Sequence, residues 1–408
     1  MVSLAMLAIM AGCAVGLYLK GTLAQAVLMI INALIAGVAA FGFFELASHY
    51  LIQYSPGMAP WAPMTSFLLL LVLVFALLQA VEMQICKEKI DLGPMPERIG
   101  RPLAGVVLGY LVTGYLLVAA AMAPLPSQYP YPRFDERNPN PSSPKSALLS
   151  PDGLVTGLFA TLSKGGFSPL GEPKSFALLH AGFVDHLHLN RHKVKEVPLM
   201  TNTPALDVPR QGGVWFASGG LRDAEGKPLS GPFGTSLVLV RVNLKKGAWK
   251  EAPKFTLSQL RLVCRLKGSA GPPLSGAGQA VYPAGYVGAG GRFEQKSLGE
   301  VIDLSKVQRD PVTMDVGFYV PTTLTPVLLE FQRNNVVQVP TPASAEEAPQ
   351  PVSFGSAPRS ESPEAAAGPE EDPSAQPAPS SSRKGRKGPK SGLSDVSRSV
   401  VGDQGEEN

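Results

Sequence analysis

The sequence predicts a membrane all-α domain, a four-helix transmembrane bundle, followed by a mostly-β, sandwich-like soluble domain and a disordered tail. Four long apolar runs fall within the first 123 of the 408 residues. From about residue 212, short β-branched runs alternate with turns rich in Gly and Pro. After residue 340 the chain is rich in Pro, Ser, Ala and Glu and has few large apolar residues. These observations divide the chain into units at 1–123, 124–149, 150–200, 201–340 and 341–408.

The first unit contains four candidate membrane spans. They are Val2–Leu19, Leu23–Phe44, Thr65–Ile85 and Pro102–Met122. About 20 helical residues cross a hydrocarbon core of about 30 Å. The first run has no basic segment before it, as a secretory signal would, and Lys20-Gly21 after it is typical of a turn. We therefore interpret all four runs as membrane helices.

The basic residues in the short loops indicate an orientation. The loop between the second and third runs, about 46–64, contains no Lys or Arg. The first and third loops contain Lys20, Lys87, Lys89, Arg98 and Arg101. Cytoplasmic loops carry an excess of basic residues, so these two loops are predicted to be cytoplasmic and both termini to lie on the opposite side.

Small residues four apart suggest close helix packing within the membrane. The pairs are Gly12 with Gly16, Ala33 with Gly37, and Gly105 with Gly109. Such pairs let helix backbones approach each other within one chain or between copies in a homo-oligomer. The few polar side chains, Glu45, His49, Glu82 and Gln84, close the second and third runs. Transport paths place ionisable groups near the midplane, so this arrangement favours a scaffold.

Two stretches resemble the colicin V production (CvpA) family of bacterial inner-membrane proteins, "LKGTLAQAVLMIINALIAGVAAFGFFELASHYL" (19–51) and "PERIGRPLAGVVLGYLVTGYLLVAA" (96–120). Lys20-Gly21 matches a basic-Gly pair in the family's first turn. Glu97-Arg98, followed by Gly100, Gly105 and Gly109, is similar to its entry into the fourth helix. Where the family often has Arg-Gly, this chain has Thr113-Gly114. The resemblance implies a bacterial inner (cytoplasmic) membrane protein linked to secretion, toxin biosynthesis or envelope maintenance, without enzymatic chemistry.

Residues 124–200 are predicted to join the membrane to the soluble domain. The proline-rich stretch 124–149 is interpreted as a semi-extended linker. A helix is predicted to follow at about 150–166, with Ser150 as N-cap, Pro151 at the first position and Gly165 as terminator. Its apolar face is predicted to lie against the membrane, the bundle or the soluble domain, and comprises Leu154, Val155, Leu158, Phe159 and Leu162.

Five β-branched runs are predicted to form a sandwich-like domain at 201–340. They are "GVWFASG", "TSLVLVRVNL", "FTLSQLRLVCRL", "VTMDVGFYVP" and "PVLLEFQRNNVVQVP". Their order resembles immunoglobulin-like extracytoplasmic modules at the level of fold, which does not supply a function. The tail, 341–408, cannot bury a core and is predicted to be disordered, with a basic octet "RKGRKGPK" at 383–390.

Four of the five histidines lie between residues 180 and 192. They are His180, His186, His188 and His192. A zinc site needs three or four ligands that converge on one point. On a helix His186 and His188 diverge, and on a strand His192 depends on a turn, so no regular element presents all three. We therefore predict no metal site, but a polar, partly exposed segment near the membrane that gains charge below about pH 6.5.

The remaining motifs do not favour an enzyme. "GGFSPLG" (165–171) has its second glycine one position too late for a nucleophile elbow, and "GYVGAGGRF" (285–293) is interpreted as a flexible turn. Cys13, Cys86 and Cys264 lie in separate regions, and a net charge of +4 does not predict nucleic-acid binding. No catalytic residue or cofactor is predicted.

The predicted function is a membrane scaffold that supports secretion or envelope maintenance through an extracytoplasmic binding domain. Membrane lipid and other membrane or envelope proteins are the expected partners, together with a second copy of the chain. A membrane-anchored sensor or ligand-binding module is the first alternative, and a transporter or channel component is the second.

Overall fold

The fold is described from a computed structural model over residues 2–85, 93–164 and 174–354. Several sequence features lie outside these ranges. They are Cys86, Lys87 and Lys89 in the third loop, the "GGFSPLG" segment with Gly165, and the tail from residue 355 on, with its basic octet. The first part of the predicted disordered tail, 341–354, is described and packs on the β-rich region. The N–H of Ala343 donates to Val214 O over 2.9 Å and Val352 is buried, so the prediction of disorder is wrong for these residues.

The four apolar runs form helices that are long and apolar enough to cross a membrane, as predicted. They are α1 (Val2–Lys20), α2 (Leu23–Tyr54), α3 (Ala62–Ile85) and α4 (Pro94–Met122). All four helices extend beyond their predicted runs, and α2 and α4 do so most, since α2 ends at Tyr54 and α4 begins at Pro94. α2 continues from Phe44 to Tyr54 because polar side chains on a helix surface leave the backbone hydrogen bonds intact. It ends before Pro56, which has no N–H to continue them.

The glycine pair of α4, Gly105 and Gly109, lies in a helix–helix contact, whereas the pair of α1, Gly12 and Gly16, does not. A Cβ atom on Gly105 would lie 2.5 Å from Ala14 Cα, and one on Gly109 would lie 2.6 Å from Met10 Cα. α1 and α4 therefore touch backbone to backbone, which confirms the packing predicted for the α4 pair. A Cβ atom on Gly12 or Gly16 would meet nothing within 4 Å. The prediction that this pair packs within the chain is wrong, because α1 meets α4 through its opposite face.

Within the part of the chain that the structure describes, three shorter α-helices follow the membrane bundle. They are α5 (Pro151–Ser163), α6 (Phe176–Leu179) and α7 (Phe183–Asn190). α5 begins at Pro151 as predicted, but Ser150 does not cap it. The φ of Ser150 is 47°, in the left-handed region, and its hydroxyl accepts no hydrogen bond from the helix. A capping side chain requires an extended backbone at that position.

α5 lies beside α4 and not beyond its end. The hydroxyl of Tyr110 donates to Leu149 O over 2.6 Å, and Tyr110 precedes the end of α4 by about three turns. The predicted apolar face of α5 divides in two. Val155 and Phe159 are buried against the bundle, while the remaining leucines of that face point outward, namely Leu154, Leu158 and Leu162.

The region after residue 205 is mostly β, as predicted. Within the described residues its strands are β1 (Leu206–Asp207), β2 (Val214–Phe216), β3 (Thr235–Leu244), β4 (Lys254–Thr256), β5 (Leu260–Leu266), β6 (Gly278–Val281), β7 (Gly285–Val287), β8 (Phe293–Gln295), β9 (Val301–Asp303), β10 (Val312–Pro321), β11 (Leu324–Phe331) and β12 (Asn335–Gln338). Two predicted runs match β3 and β10 in full. The segment interpreted as a flexible turn, 285–293, is instead the β7–β8 hairpin, in which Gly290 and Gly291 take positive φ at the turn.

The strands form three sheets. The largest has the order β1-β3-β10-β7-β8, with β2 also paired to β3. The second has the order β12-β11-β5-β6, and β4 pairs with β9 in the third. The two larger sheets share one apolar cluster, in which Val240 and Val316 belong to the first sheet and Leu262 and Phe331 to the second.

Candidate functional site

The histidine-rich segment forms the connection between the membrane bundle and the β-rich region. We call residues 174–192, which contain α6 and α7, the joint. Its apolar side faces the bundle. The ring of Phe176 lies 4.8 Å from Phe159 and 5.6 Å from Phe41, and the ring of Phe183 lies 6.1 Å from Phe44. Each such aromatic pair adds about 0.5–1.5 kcal/mol beyond the burial of its surface, so the joint is firmly seated on α2 and α5.

The opposite side of the joint is held by a buried arginine of the β-rich region. Arg261 on β5 donates through Nη1 to Ala181 O over 2.6 Å and through Nη2 to Leu179 O over 2.9 Å. Its Nε donates to Oε2 of Glu330, its register partner on β11, over 2.8 Å. The Arg261 side chain is 1% exposed. One guanidinium thus joins two β-strands to the carbonyls between α6 and α7.

A second contact with the β-rich region lies at the far end of the joint. The amide of Gln259 donates to Asn190 O over 3.1 Å and to Pro198 O over 2.8 Å. Gln259 is also buried. The joint is therefore bonded to the β-rich region at both of its ends.

The linker is held by the joint as well. Arg191 donates to Tyr129 O over 2.8 Å and to Leu125 O over 3.3 Å. Nε of Arg133 lies 2.5 Å from Oδ1 of Asp185 on α7. Residues 124–149 contain no helix or strand, as a linker should, but these bonds pack them against α7. They are not a free spacer.

The histidines are buried, which corrects the predicted exposure of this segment. His186, His188 and His192 are each no more than 3% exposed. Nε2 of His186 lies 3.2 Å from Gln332 O and 3.4 Å from Oε1 of Glu330. Nδ1 of His188 accepts from Nη2 of Arg191 over 3.3 Å. The sequence did not reveal that both sides of α7 are covered, one by β11 and the other by the linker.

Burial also overturns the prediction that these histidines gain charge below about pH 6.5. Desolvation, with Arg261 and Arg333 nearby, holds the pKa of His186 well below its ordinary value of 6.5. Burial, with Arg191 and Arg133 nearby, lowers the pKa of His188 to about 2. Burial likewise lowers the pKa of His192. The three rings are neutral in the folded protein at physiological pH.

The histidines do not converge on a common point. His186 faces β11, His188 faces Arg191 and Tyr131, and Nε2 of His180 lies 3.2 Å from Oε1 of Glu45 on α2. In the described ranges, no group of three or more His, Cys, Asp or Glu side chains is placed to hold a metal ion.

These buried neutral histidines should make stability fall as the pH drops below about 6.5. The unfolded chain takes up protons there and the folded chain does not, so the unfolded state binds more protons and the free energy of unfolding decreases. Each histidine contributes a slope of up to about 1.4 kcal/mol per pH unit. Unfolding should be compared at about pH 7.5 and about pH 5.5 for the natural chain and for His188→Gln, whose Oε1 can accept from Arg191.

We expect His188→Gln to reduce the pH slope by about the contribution of one histidine. The pKa of Glu330, which burial raises despite Arg261, acts in the opposite direction but is common to both proteins. Equal slopes for the two proteins would contradict the neutral, buried state of His188.

A cavity of about 960 Å³ lies between the joint and the end of the bundle. One wall is the last part of α2, the turn at Pro56–Met58 and the start of α3. The other wall comprises the joint, residues 194–203 and the turn between β11 and β12. Its charged and titratable lining residues are Glu45, His49, His180, His186, Lys195, Glu196, Lys250, Glu251, Glu330 and Arg333. The volume is in the range of small-molecule sites, and the walls combine apolar with charged side chains.

The polar groups predicted near the ends of the membrane runs have separate roles. Glu45 lines the cavity and contacts His180, whereas Oε2 of Glu82 accepts from Asn32 over 2.7 Å and from Gln79 over 2.7 Å. The Glu82 network joins α2 to α3 away from the cavity.

The chain matches no protein-family model, no curated protein and no solved structure.

The roles of Arg261, Arg333 and Glu330 were not predicted from the sequence. Arg261 and Glu330 interrupt the apolar runs "LRLVCRL" and "PVLLEF" at positions where strand neighbours are buried. A charged residue inside a buried strand requires a partner. That signal was present in the sequence, but it did not identify the partner or the helical carbonyls that Arg261 reaches.

Proposed function

We propose that this chain is an integral membrane scaffold that holds a sandwich-like binding domain in a fixed position at the membrane surface. The observation that carries the proposal is the joint. Its phenylalanines share a core with α2 and α5, and Arg261 and Gln259 bond its backbone to the β-rich region. A flexible tether would suffice to anchor a domain, so this continuous packing favours a role that depends on the domain's position.

We propose an extracytoplasmic location for the β-rich domain, in a bacterial inner membrane. The support is the basic residues at one end of the bundle: Lys20 ends α1, and Arg98 and Arg101 lie in the first turns of α4. The N–H of Leu23 donates to Glu97 over 2.8 Å, so these two regions adjoin each other. The link to secretion or envelope maintenance rests on the resemblance to colicin V production proteins.

Lipid contact is expected along α5 as well as along the bundle. Leu154, Leu158 and Leu162 follow one another at intervals of four and are 39–46% exposed beside α4. An apolar stripe at that depth matches acyl chains better than water.

Cysteine accessibility tests the proposed location. In a chain freed of its natural cysteines, Gly57→Cys and Lys145→Cys should react with a membrane-impermeant maleimide added to intact cells. Lys20→Cys should react only after permeabilisation. Protection of Lys145→Cys in intact cells, with labelling of Lys20→Cys, would place the β-rich domain in the cytoplasm and overturn the proposal.

A membrane-anchored ligand-binding module is the second candidate function, and the cavity favours it. The cavity lies where a bound molecule would touch the bundle, the joint and the β11–β12 turn together. Binding of a molecule in the cavity would therefore affect the membrane helices and the β-rich domain together.

A further inference from the structure

The residues around the cavity indicate that it lies at the level where a membrane meets water. Three exposed aromatic residues surround its α2–α3 wall: Tyr50, Tyr54 and Trp61. Tyr and Trp are enriched at the headgroup level of membrane proteins because their rings are apolar and their polar atoms reach water. On the opposite wall, Nη1 of Arg333 donates to the carbonyl oxygen of Met122, the last residue of α4, over 2.6 Å. Arg333 thus lies at the end of a membrane helix.

Arg333 is the cation that best fits an anion in this cavity. Within the described part of the chain, no carboxylate lies within 4.0 Å of its guanidinium. Glu330 is paired with Arg261, and Oε1 of Glu45 lies 3.2 Å from Nε2 of His180. Both carboxylates remain near enough to Arg333 to act on its charge without contacting it. Burial lowers the pKa of Arg333 to about 10, so it stays charged at neutral pH. A guanidinium with unused N–H groups matches the geometry of a phosphate.

The rest of the lining suits an amphipathic molecule. Apolar side chains lie on both walls, among them Phe44, Ile52, Phe183 and Leu187. At the rim, Lys195 and Lys250 are each followed by a glutamate, so the outer charges cancel. Arg333 is therefore the inner cation of the lining, and its unused N–H groups can bind an anion beside Glu45 and Glu330.

We propose that the cavity binds the headgroup of a membrane phospholipid, with its phosphate on Arg333 and its glycerol and first acyl carbons along Ile52 and Phe44. A phosphodiester lipid supplies both features that the walls require, an anion and an adjoining apolar chain. This site does not depend on whether the β-rich domain binds a partner.

Ligand titration of the full chain in detergent tests the proposal. The probes are a short-chain phosphatidylglycerol, glycerol phosphate and inorganic phosphate, and the readout is the Kd from equilibrium binding. We expect the short-chain lipid to bind and Arg333→Gln to weaken it about tenfold or more, as for loss of hydrogen bonds to a charged group. The matched control is Arg309→Gln, at an exposed arginine away from the cavity, which should leave the Kd unchanged.

A second variant keeps Arg333 in place. Ile52→Asp should weaken the short-chain lipid while circular dichroism and gel filtration remain as for the natural chain. Equal affinity for inorganic phosphate and for the lipid would overturn the lipid assignment in favour of a free-phosphate site. Lipid binding that survives both variants unchanged would exclude the cavity as the site.

Discussion

Replacing Arg261 with alanine should release the joint from the β-rich region. The variant removes the bonds to Leu179 O and Ala181 O and leaves Glu330 buried without its cation. Loss of one partner of a buried ion pair costs about 3–5 kcal/mol. Hydrogen exchange of the backbone amides in residues 176–190 should become faster, since these amides lose the packing that closes the joint.

A second arginine gives a matched control for this experiment. Arg241 on β3 pairs with its register partner Asp315 on β10 over 2.8 and 2.9 Å, a cross-strand ion pair like that of Arg261 and Glu330. Arg241→Ala should also destabilise the β-rich region, but it should not preferentially expose the joint. Equal exchange rates in the joint for the two variants would contradict the coupling role assigned to Arg261.

Replacing Gly105 with valine should separate α1 from α4. The new Cβ atom would lie 2.5 Å from Ala14 Cα and 2.7 Å from Cys13 O. Both are backbone atoms, which no side-chain rotation can move away. We therefore expect a destabilisation at the upper end of the about 1–3 kcal/mol typical of overpacking, measured by thermal unfolding in detergent.

Gly12→Val is the control for Gly105→Val. It adds the same side chain to the other glycine pair, where nothing lies within 4 Å, so the stability of the single chain should not change. If copies of the chain associate through the small-residue face of α1, this variant should lose crosslinked dimers while keeping its melting temperature. A loss of stability equal to that of Gly105→Val would contradict the observed packing.

The fold could be predicted where local patterns decide it. Long apolar runs specify the four helices, and β3 and β10 coincide with runs that are rich in β-branched residues. The pattern could not specify the end of α2, because a helix continues past Phe44 until Pro56 interrupts it. Nor could small-residue spacing alone distinguish the packed pair in α4 from the unpacked pair in α1. That choice depends on which helix face meets a neighbour.

The site was harder to predict because it is built from distant parts of the chain. The sequence drew attention to the histidine segment but predicted exposure, since polar residues are usually at the surface. In the structure, the linker at Tyr129 and the strand residue Glu330 cover opposite sides of α7. The cavity and the position of Arg333 depend on similar long-range contacts, so no local motif could predict them.

In the proposed scaffold, the joint fixes the β-rich domain relative to the membrane bundle. The most direct test is a distance measurement between spin labels in the full chain reconstituted in lipid nanodiscs. Labels at Tyr54→Cys, at the end of α2, and Gln279→Cys, on β6, occupy exposed positions on the two sides of the joint. A pair within the β-rich domain, Asp207→Cys with Gln279→Cys, sets the width expected for a rigid body.

We expect the pair across the joint to give a single distance distribution as narrow as that of the pair within the domain. Introducing Arg261→Ala should broaden the first distribution and leave the second unchanged. A broad distribution across the joint in the otherwise natural chain would show that the domain moves freely, and would contradict the claim that this protein is a scaffold of fixed geometry.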